Sequence, residues 1–511
     1  MMDLSHWIER NARFMPDRTA IRFEGEDLSY AQLAQEIDLT ARYLADLGVG
    51  EGSVIAYLGL NSPLLLKLFF ACAQLGSLLA PISWRLAAQE LCRVLDNCSP
   101  QALVTEPPFL ATLRAMAPTQ ATTCIVTGGE PPAGWLVWNP PERARGALPC
   151  ELRVGRPDAP IILCYTSGTT GIPKGVVLTQ DAVECNAANS AHMHDLTSHD
   201  RVLTTLPMFH VGGLNIQTLP ALRAGASVIM HPRFSAEHAL TAIERERITL
   251  TVLVPAQLAA ILDLPNCSPS KLLSLRMITS GSTIISEQFA KRINSLGIPL
   301  AQVYGSTETA PIAAYQRRED ATLRPGSAGA PALHCEIRIV DENHCDLPVG
   351  VDGEILVRGR NVMSGYWNQP AQTAAAFCDG WFCSGDIGHL DSDGFLYVVS
   401  RKRDMIITGG ENVYPEEVET LLLDCPSVLE VCVVGKPDEK LGEMVVAAVV
   451  LRDGADLTID AVKLLLENRL ARYKHPRELH FFRHMPRNAL GKLHRADVRA
   501  SIVNATADEG A

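Results

Sequence analysis

Between about residue 17 and residue 330 the chain alternates short apolar or β-branched runs with segments of helical periodicity. The runs Ile161–Cys164, Val202–Thr205, Ser227–Met230, Thr251–Val254 and Met277–Thr279 are each followed by a turn and a helical pattern. A strand whose successor lies beyond a helix pairs with it in parallel, and a parallel sheet needs cover on both faces, so this alternation predicts an α/β fold with two doubly wound sheets. After Arg324-Pro325-Gly326 the pattern shifts to glycine-punctuated strands, Glu336–Val340 and Gly353–Arg358, which predict a β-rich subdomain. Beyond the charged run Ser400–Asp404 a fresh pattern begins: Met405–Ile407, a helix over Pro415–Leu423, then strands at Val431–Val434 and Val445–Leu451. It predicts a small α+β C-terminal domain over residues 403–511, behind a large domain over 1–402. A length of 511 residues, beyond what one core usually serves, agrees with that division.

The apolar stretch Pro63–Pro81 approaches the length of a membrane span, but Lys67, Gln74 and the bounding prolines fit a buried helix behind the strand-like run Val54–Leu60. Peripheral membrane contact is left open, as is the choice between monomer and homodimer. The 45 basic and 57 acidic residues give a net charge of −12 and no basic domain, which excludes a nucleic-acid partner. The 14 cysteines contain no C-x-x-C pair and read as reduced thiols of a cytoplasmic protein. Met1–Trp7 has no secretory pattern and Asp508–Ala511 no lipidation address.

The densest chemical signal is Tyr165-Thr-Ser-Gly-Thr-Thr-Gly-Ile-Pro-Lys-Gly-Val-Val177, directly after a predicted strand. Seven of the eleven residues from Tyr165 to Gly175 are Thr, Ser or Gly. Such a loop offers close backbone N–H groups and hydroxyls to a polyphosphate, and Lys174 adds a positive charge. The spacing is not that of a Walker A loop. Downstream stand Gln302-Val-Tyr-Gly-Ser-Thr-Glu308, Trp381-Phe-Cys-Ser-Gly-Asp386, Ser400-Arg401, Gly409-Gly-Glu-Asn-Val-Tyr-Pro415 and Pro486-Arg-Asn-Ala-Leu-Gly-Lys-Leu493.

This ordered set resembles the adenylate-forming superfamily of acyl-CoA synthetases, peptide-synthetase adenylation domains and beetle luciferases, over about residues 10–500. The resemblance implies that Thr166, Ser167, Gly168, Thr169, Thr170, Gly171 and Lys174 cradle the ATP phosphates. Gln302, Tyr304, Gly305 and Ser280-Gly281-Ser282 would surround adenine, with Tyr304 stacked on the base. Thr307 would touch the α-phosphate and Glu308 would hold Mg²⁺, a hard cation that requires oxygen ligands. Asp386 and Arg401 would bind the ribose. Lys492 would bring its ammonium to the point where carboxylate, α-phosphate and departing pyrophosphate meet, an electrostatic role.

Pro207–Gly213 resembles the wall of the acyl pocket, with His210 beside the substrate carboxylate or the thiol path. Val211, Gly212, Gly213, Thr309 and Ala310 would complete that pocket. No acid follows Phe209, which argues against an amino-acid substrate, and no cation follows Glu308 to meet a second carboxylate. Gly212 leaves a wide apolar opening where related aryl ligases carry a ring. The resulting expectation is an acyl-CoA synthetase that joins a medium- or long-chain fatty acid to coenzyme A through an acyl-AMP intermediate. The alternatives are an aryl- or other small-acid CoA ligase, or an acyl-AMP ligase that loads a carrier protein. The family swings its small domain between the two half-reactions about a hinge that falls on Arg403, where Lys or Asp is common. In the second orientation Gly409, Gly410 and Glu411 would line the CoA channel. The paired residues His192 and His194 diverge on a helix and read as structural.

Overall fold

The computed structural model describes residues 3–114, 122–140, 152–166, 173–282, 285, 287–401, 405–486, 493 and 495–508. Among these, two large sheets form the body of the chain. The first has eight strands in the order Gly365–Tyr366, Lys174–Thr179, Pro160–Thr166, Leu78–Ile82, Val54–Leu58, Ala102–Thr105, Thr123–Val126 and Leu136–Val137. The second has nine, with Leu300–Tyr304, Met277–Ser280, Leu250–Val252, Arg201–Thr204, Ser227–Met230 and Thr19–Phe23 parallel in its centre. Both are doubly wound, as the alternation predicts. The first departs from the parallel pattern at one edge, where Pro160–Thr166 and Lys174–Thr179 form an antiparallel hairpin with Thr166 opposite Lys174. The strands that flank the glycine-rich segment thus run antiparallel, because so short a connection cannot span a parallel crossover.

Strands in the second sheet are apolar on both faces. Met277, Ala301 and Val303 face a core shared with the first sheet, whereas Ile278 and Leu300 pack on the helices Ala236–Arg245 and Pro255–Leu262 behind it. The stretch that approaches span length is a helix over Pro63–Leu75, ended by Gly76 in the left-handed conformation, and its Phe69 and Phe70 are fully buried. Both of its polar residues find carboxylates on the adjoining helix Tyr30–Asp46. Lys67 pairs with Glu36 at 2.8 Å and Gln74 donates to Asp38 at 2.9 Å. Among the described residues no helix is long and apolar enough to cross a membrane.

A third sheet carries Cys335–Val340, Gly353–Gly359, Trp381–Leu390, Phe377–Cys378 and Leu396–Arg401, in the predicted β-rich region. The small C-terminal domain has its own sheet, Glu411–Val413, Ile406–Thr408, Gly442–Leu451, Val428–Asp438 and Glu478–Phe481, and its own apolar core around Val433, Ala447 and Val462. Arg403, the expected hinge, lies outside the described residues.

Candidate active site

In open α/β sheets ligands sit beyond the carboxyl ends of the strands. Met277–Ser280 and Leu300–Tyr304 end side by side there, with Ser280 in register with Gln302. The first turns through Gly281 and Ser282 and the second through Gly305, which has φ +158°. A Cβ on Gly281 would lie 2.6 Å from the carbonyl of Val303, and one on Gly305 would overlap that of Pro311, so both turns require glycine. Tyr304 Oη donates to Asp386 Oδ2 at 2.9 Å. Asp386, 4% exposed, stands opposite Arg401 in the antiparallel ladder of the third sheet. Four separate predicted motifs therefore converge on one cleft. Ser280 Oγ is buried there with no partner among the described residues. Gln302 differs: its side chain donates to the carbonyl of Pro325 at 2.6 Å and so holds the neighbouring loop.

At the adjacent hairpin, Lys174 Nζ lies 4.9 Å from the centre of the Tyr366 ring, and Tyr366 Oη donates to Glu308 Oε1 at 3.0 Å. Tyr366 thus ties the hairpin to the short 3₁₀ turn Thr307–Thr309. Ser167, Gly168, Thr169, Thr170, Gly171 and Lys492 lie outside the described residues, as does the side chain of Arg401. Among the described residues no three His, Cys, Asp or Glu side chains gather as a metal site. A single carboxylate such as Glu308 nevertheless suits Mg²⁺, which takes most of its ligands from phosphate and water.

The third part of the cleft is closed by the small domain. Gly409 and Gly410 have φ +59° and +84°, and a Cβ on Gly410 would come within 3.2 Å of Val254 Cγ1 of the large domain. This close approach delivers Glu411, whose Oε2 lies 3.0 Å from His210 Nε2 while Oε1 meets the guanidinium of Arg85. Burial pushes the Glu411 carboxyl up, but His210 and Arg85 outweigh it and bring the pKa down to about 2. Beside this pair Trp84 meets Phe209 edge to face, with ring centres 6.4 Å apart.

The predicted acyl wall is rigid. A Cβ on Gly213 would overlap the carbonyl of Pro207, so that glycine is a packing requirement. Gly212 is open: a Cβ there meets nothing nearer than Ile216 Cδ1 at 4.0 Å. Thr309 and Ala310 are fixed through their carbonyls by Asn361 at 2.7 Å and Asn215 at 3.0 Å. Val211 is buried in the core. His194 is structural, enclosed by Ser190 and Thr279, and His192 meets Tyr315 Oη at 2.7 Å. Arg85, Trp84 and Tyr366 were not expected, since none stands in a local motif and each gains its role from a distant partner.

Residues 8–367 match the AMP-binding enzyme family and residues 417–492 the AMP-binding enzyme C-terminal domain. The chain is 51% identical over 506 residues to an indoleacetate–CoA ligase of Aromatoleum aromaticum, covering 99% of both chains. It is 34% identical over 470 residues to a long-chain-fatty-acid–CoA ligase of Mycobacterium tuberculosis, covering 91% of both. Among solved structures, a double mutant of o-succinylbenzoate CoA synthetase from Bacillus subtilis bound to a product analogue superposes with TM-score 0.84 at 31% identity, covering 97% of this chain and 98% of the other. The same enzyme in complex with its acyl-adenylate intermediate gives 0.70 at 31% identity, with 98% and 99% covered.

Proposed function

This chain belongs to the AMP-binding enzyme family, the adenylate-forming superfamily in its acyl-CoA synthetase form, and is a ligase that makes carbon–sulfur bonds; we propose that its acid is an aromatic monocarboxylate, of arylacetic type, which it activates with ATP and transfers to coenzyme A. The observation that carries this choice is the end-to-end 51% identity to an indoleacetate–CoA ligase, against 34% to a fatty-acid ligase. The expectation of an alkyl chain rested on the room above Gly212. Open space above Gly212, with Ile216 as its nearest neighbour at 4.0 Å, admits a flat bicyclic ring as readily as an alkyl chain.

In the first half-reaction the carboxylate oxygen attacks the α-phosphorus of ATP and pyrophosphate leaves. Thr166, Lys174 and the segment Ser167–Gly171 would hold the phosphates, with Thr307 at the α-phosphate and Asp386 and Arg401 on the ribose. Mg²⁺, held by Glu308 and the phosphates, would neutralise charge on the leaving group. Lys492 would steady the same charge from the small domain. In the second half-reaction the CoA sulfur attacks the acyl carbon, the C–O bond breaks and AMP leaves.

The domain placement described above suits that second step. The approach of Gly410 to Val254 and of Glu411 to His210 supports it, as does the better superposition on the product-analogue complex. With Glu411 ionised, His210 is drawn toward the small domain, which would leave the face of the acyl carbon open to the thiol. The test is an acid panel of arylacetates, cinnamates and saturated fatty acids, read as pyrophosphate release and then as AMP release with CoA added. Higher kcat/KM for arylacetates is the expected result. Preference for fatty acids, or AMP release indifferent to CoA, would overturn the proposal.

A further inference from the structure

Away from the reacting atoms, the small domain meets the large one through a buried lysine. Lys474 has a side chain only 3% exposed, and its Nζ donates to Glu90 Oε1 at 2.7 Å and to Glu417 Oε2 at 2.9 Å. Glu417 and Lys474 both belong to the small domain. Glu90 belongs to the large one, where its second oxygen accepts the N–H of Ala87 at 2.9 Å and closes the first turn of the helix Ala88–Cys98. The Lys474–Glu417 pair therefore travels with the small domain, while Glu90 stays behind.

The geometry points to a latch. We propose that Lys474 and Glu90 are positioning residues that hold the small domain in its thiol-transfer orientation and so set the rate of the second half-reaction. Glu417 lies on the helix Pro415–Leu422, directly after the strand Glu411–Val413. Seating Lys474 against Glu90 fixes the register of that helix, and the segment before it carries Gly409, Gly410 and Glu411 into the cleft. A buried ammonium tolerates no loss of partners, so the contact selects one orientation more than it adds net affinity. Burial pulls the Lys474 ammonium down, but the Glu417 and Glu90 carboxylates beside it more than offset this and keep it charged. When the domain swings, Glu90 and Lys474 must separate and be hydrated.

This inference rests on the two-step reaction proposed above, and its test separates the steps in the full-length enzyme. Acid-dependent ATP–pyrophosphate exchange reports the first, and single-turnover transfer from preformed acyl-AMP to CoA reports the second. Glu90→Gln keeps an oxygen for the Ala87 N–H and removes the charge. Lys474→Met removes the cation and Lys474→Arg retains it. The expected result for Glu90→Gln and Lys474→Met is exchange within twofold of the parent and transfer slowed at least tenfold, with Lys474→Arg recovering most of the loss. The double variant should be no slower than the worse single one. Equal loss in both half-reactions would mark a merely structural role and overturn the latch, as would transfer at the parental rate in Glu90→Gln. Failure of the unaltered enzyme to release AMP on CoA addition would instead overturn the proposed function itself.

Discussion

His210 Nε2 and Glu411 Oε2 stand 3.0 Å apart although 201 residues separate them in the chain. The contact joins the acyl wall of the large domain to the glycine loop of the small one, and Arg85 seals it from the other side. A neutral amide at position 411 keeps the shape but removes the charge that Arg85 and His210 face. Glu411→Gln should therefore slow transfer to CoA about tenfold, the worth of one charged hydrogen bond, and leave ATP–pyrophosphate exchange near its starting rate. Single-turnover measurement of each step checks this. Equal slowing of exchange would place Glu411 in the first step.

The neighbouring glycines of the acyl wall should respond in opposite ways. Gly213→Ala sets a methyl against the Pro207 carbonyl, a backbone group that cannot swing aside, so stability should fall by about 2 kcal/mol or more, visible in the thermal midpoint. Gly212→Ala meets only ordinary contact and should leave the midpoint unchanged. Gly212→Trp should fill the opening and exclude bicyclic acids while small aryl acids still react. An unaltered acid profile for Gly212→Trp would remove that position from the pocket.

Much of the site was legible because its signals are local. Tyr304 to Glu308 is one strand end and its turn, Asp386 lies on one strand, and Gly409–Glu411 is one loop, so each motif carries its own geometry in a few residues. The helix Pro63–Leu75 was legible for the same reason, from Lys67, Gln74 and the bounding prolines behind the run Val54–Leu60. The pairing of Arg85 with Glu411 was not, nor was that of Glu90 with Lys474, since each pair is joined only by a domain arrangement. The parallel pattern also concealed the return strand Lys174–Thr179, whose lysine belongs to both the loop motif and the strand.

Lys492 makes a complementary prediction to Glu411. Its proposed ammonium acts on charge that develops as pyrophosphate departs, so Lys492→Ala should lose adenylation by about a thousandfold. Transfer from supplied acyl-AMP to CoA should persist, because no pyrophosphate departs in that step. Near-normal pyrophosphate release by the variant would end the assignment.

His194 gives the chain a specific sensitivity to acid. Its Nδ1 donates to the Ser190 carbonyl at 2.8 Å and its Nε2 accepts from Thr279 Oγ1 at 2.9 Å, so the ring is a neutral tautomer with both nitrogens used. Burial is the main cause that lowers its pKa from the usual 6.5 to about 4. The unfolded chain takes up this proton first as pH falls, so the stabilisation is complete above pH 6.5 and is lost progressively toward pH 4, by about 3 kcal/mol in all. His194→Gln should lower stability at pH 7, since the amide reaches only part of this network, and should flatten the decline between pH 6.5 and 4. Urea unfolding followed across that window distinguishes the two chains, and parallel curves would show that other groups set the acid limit.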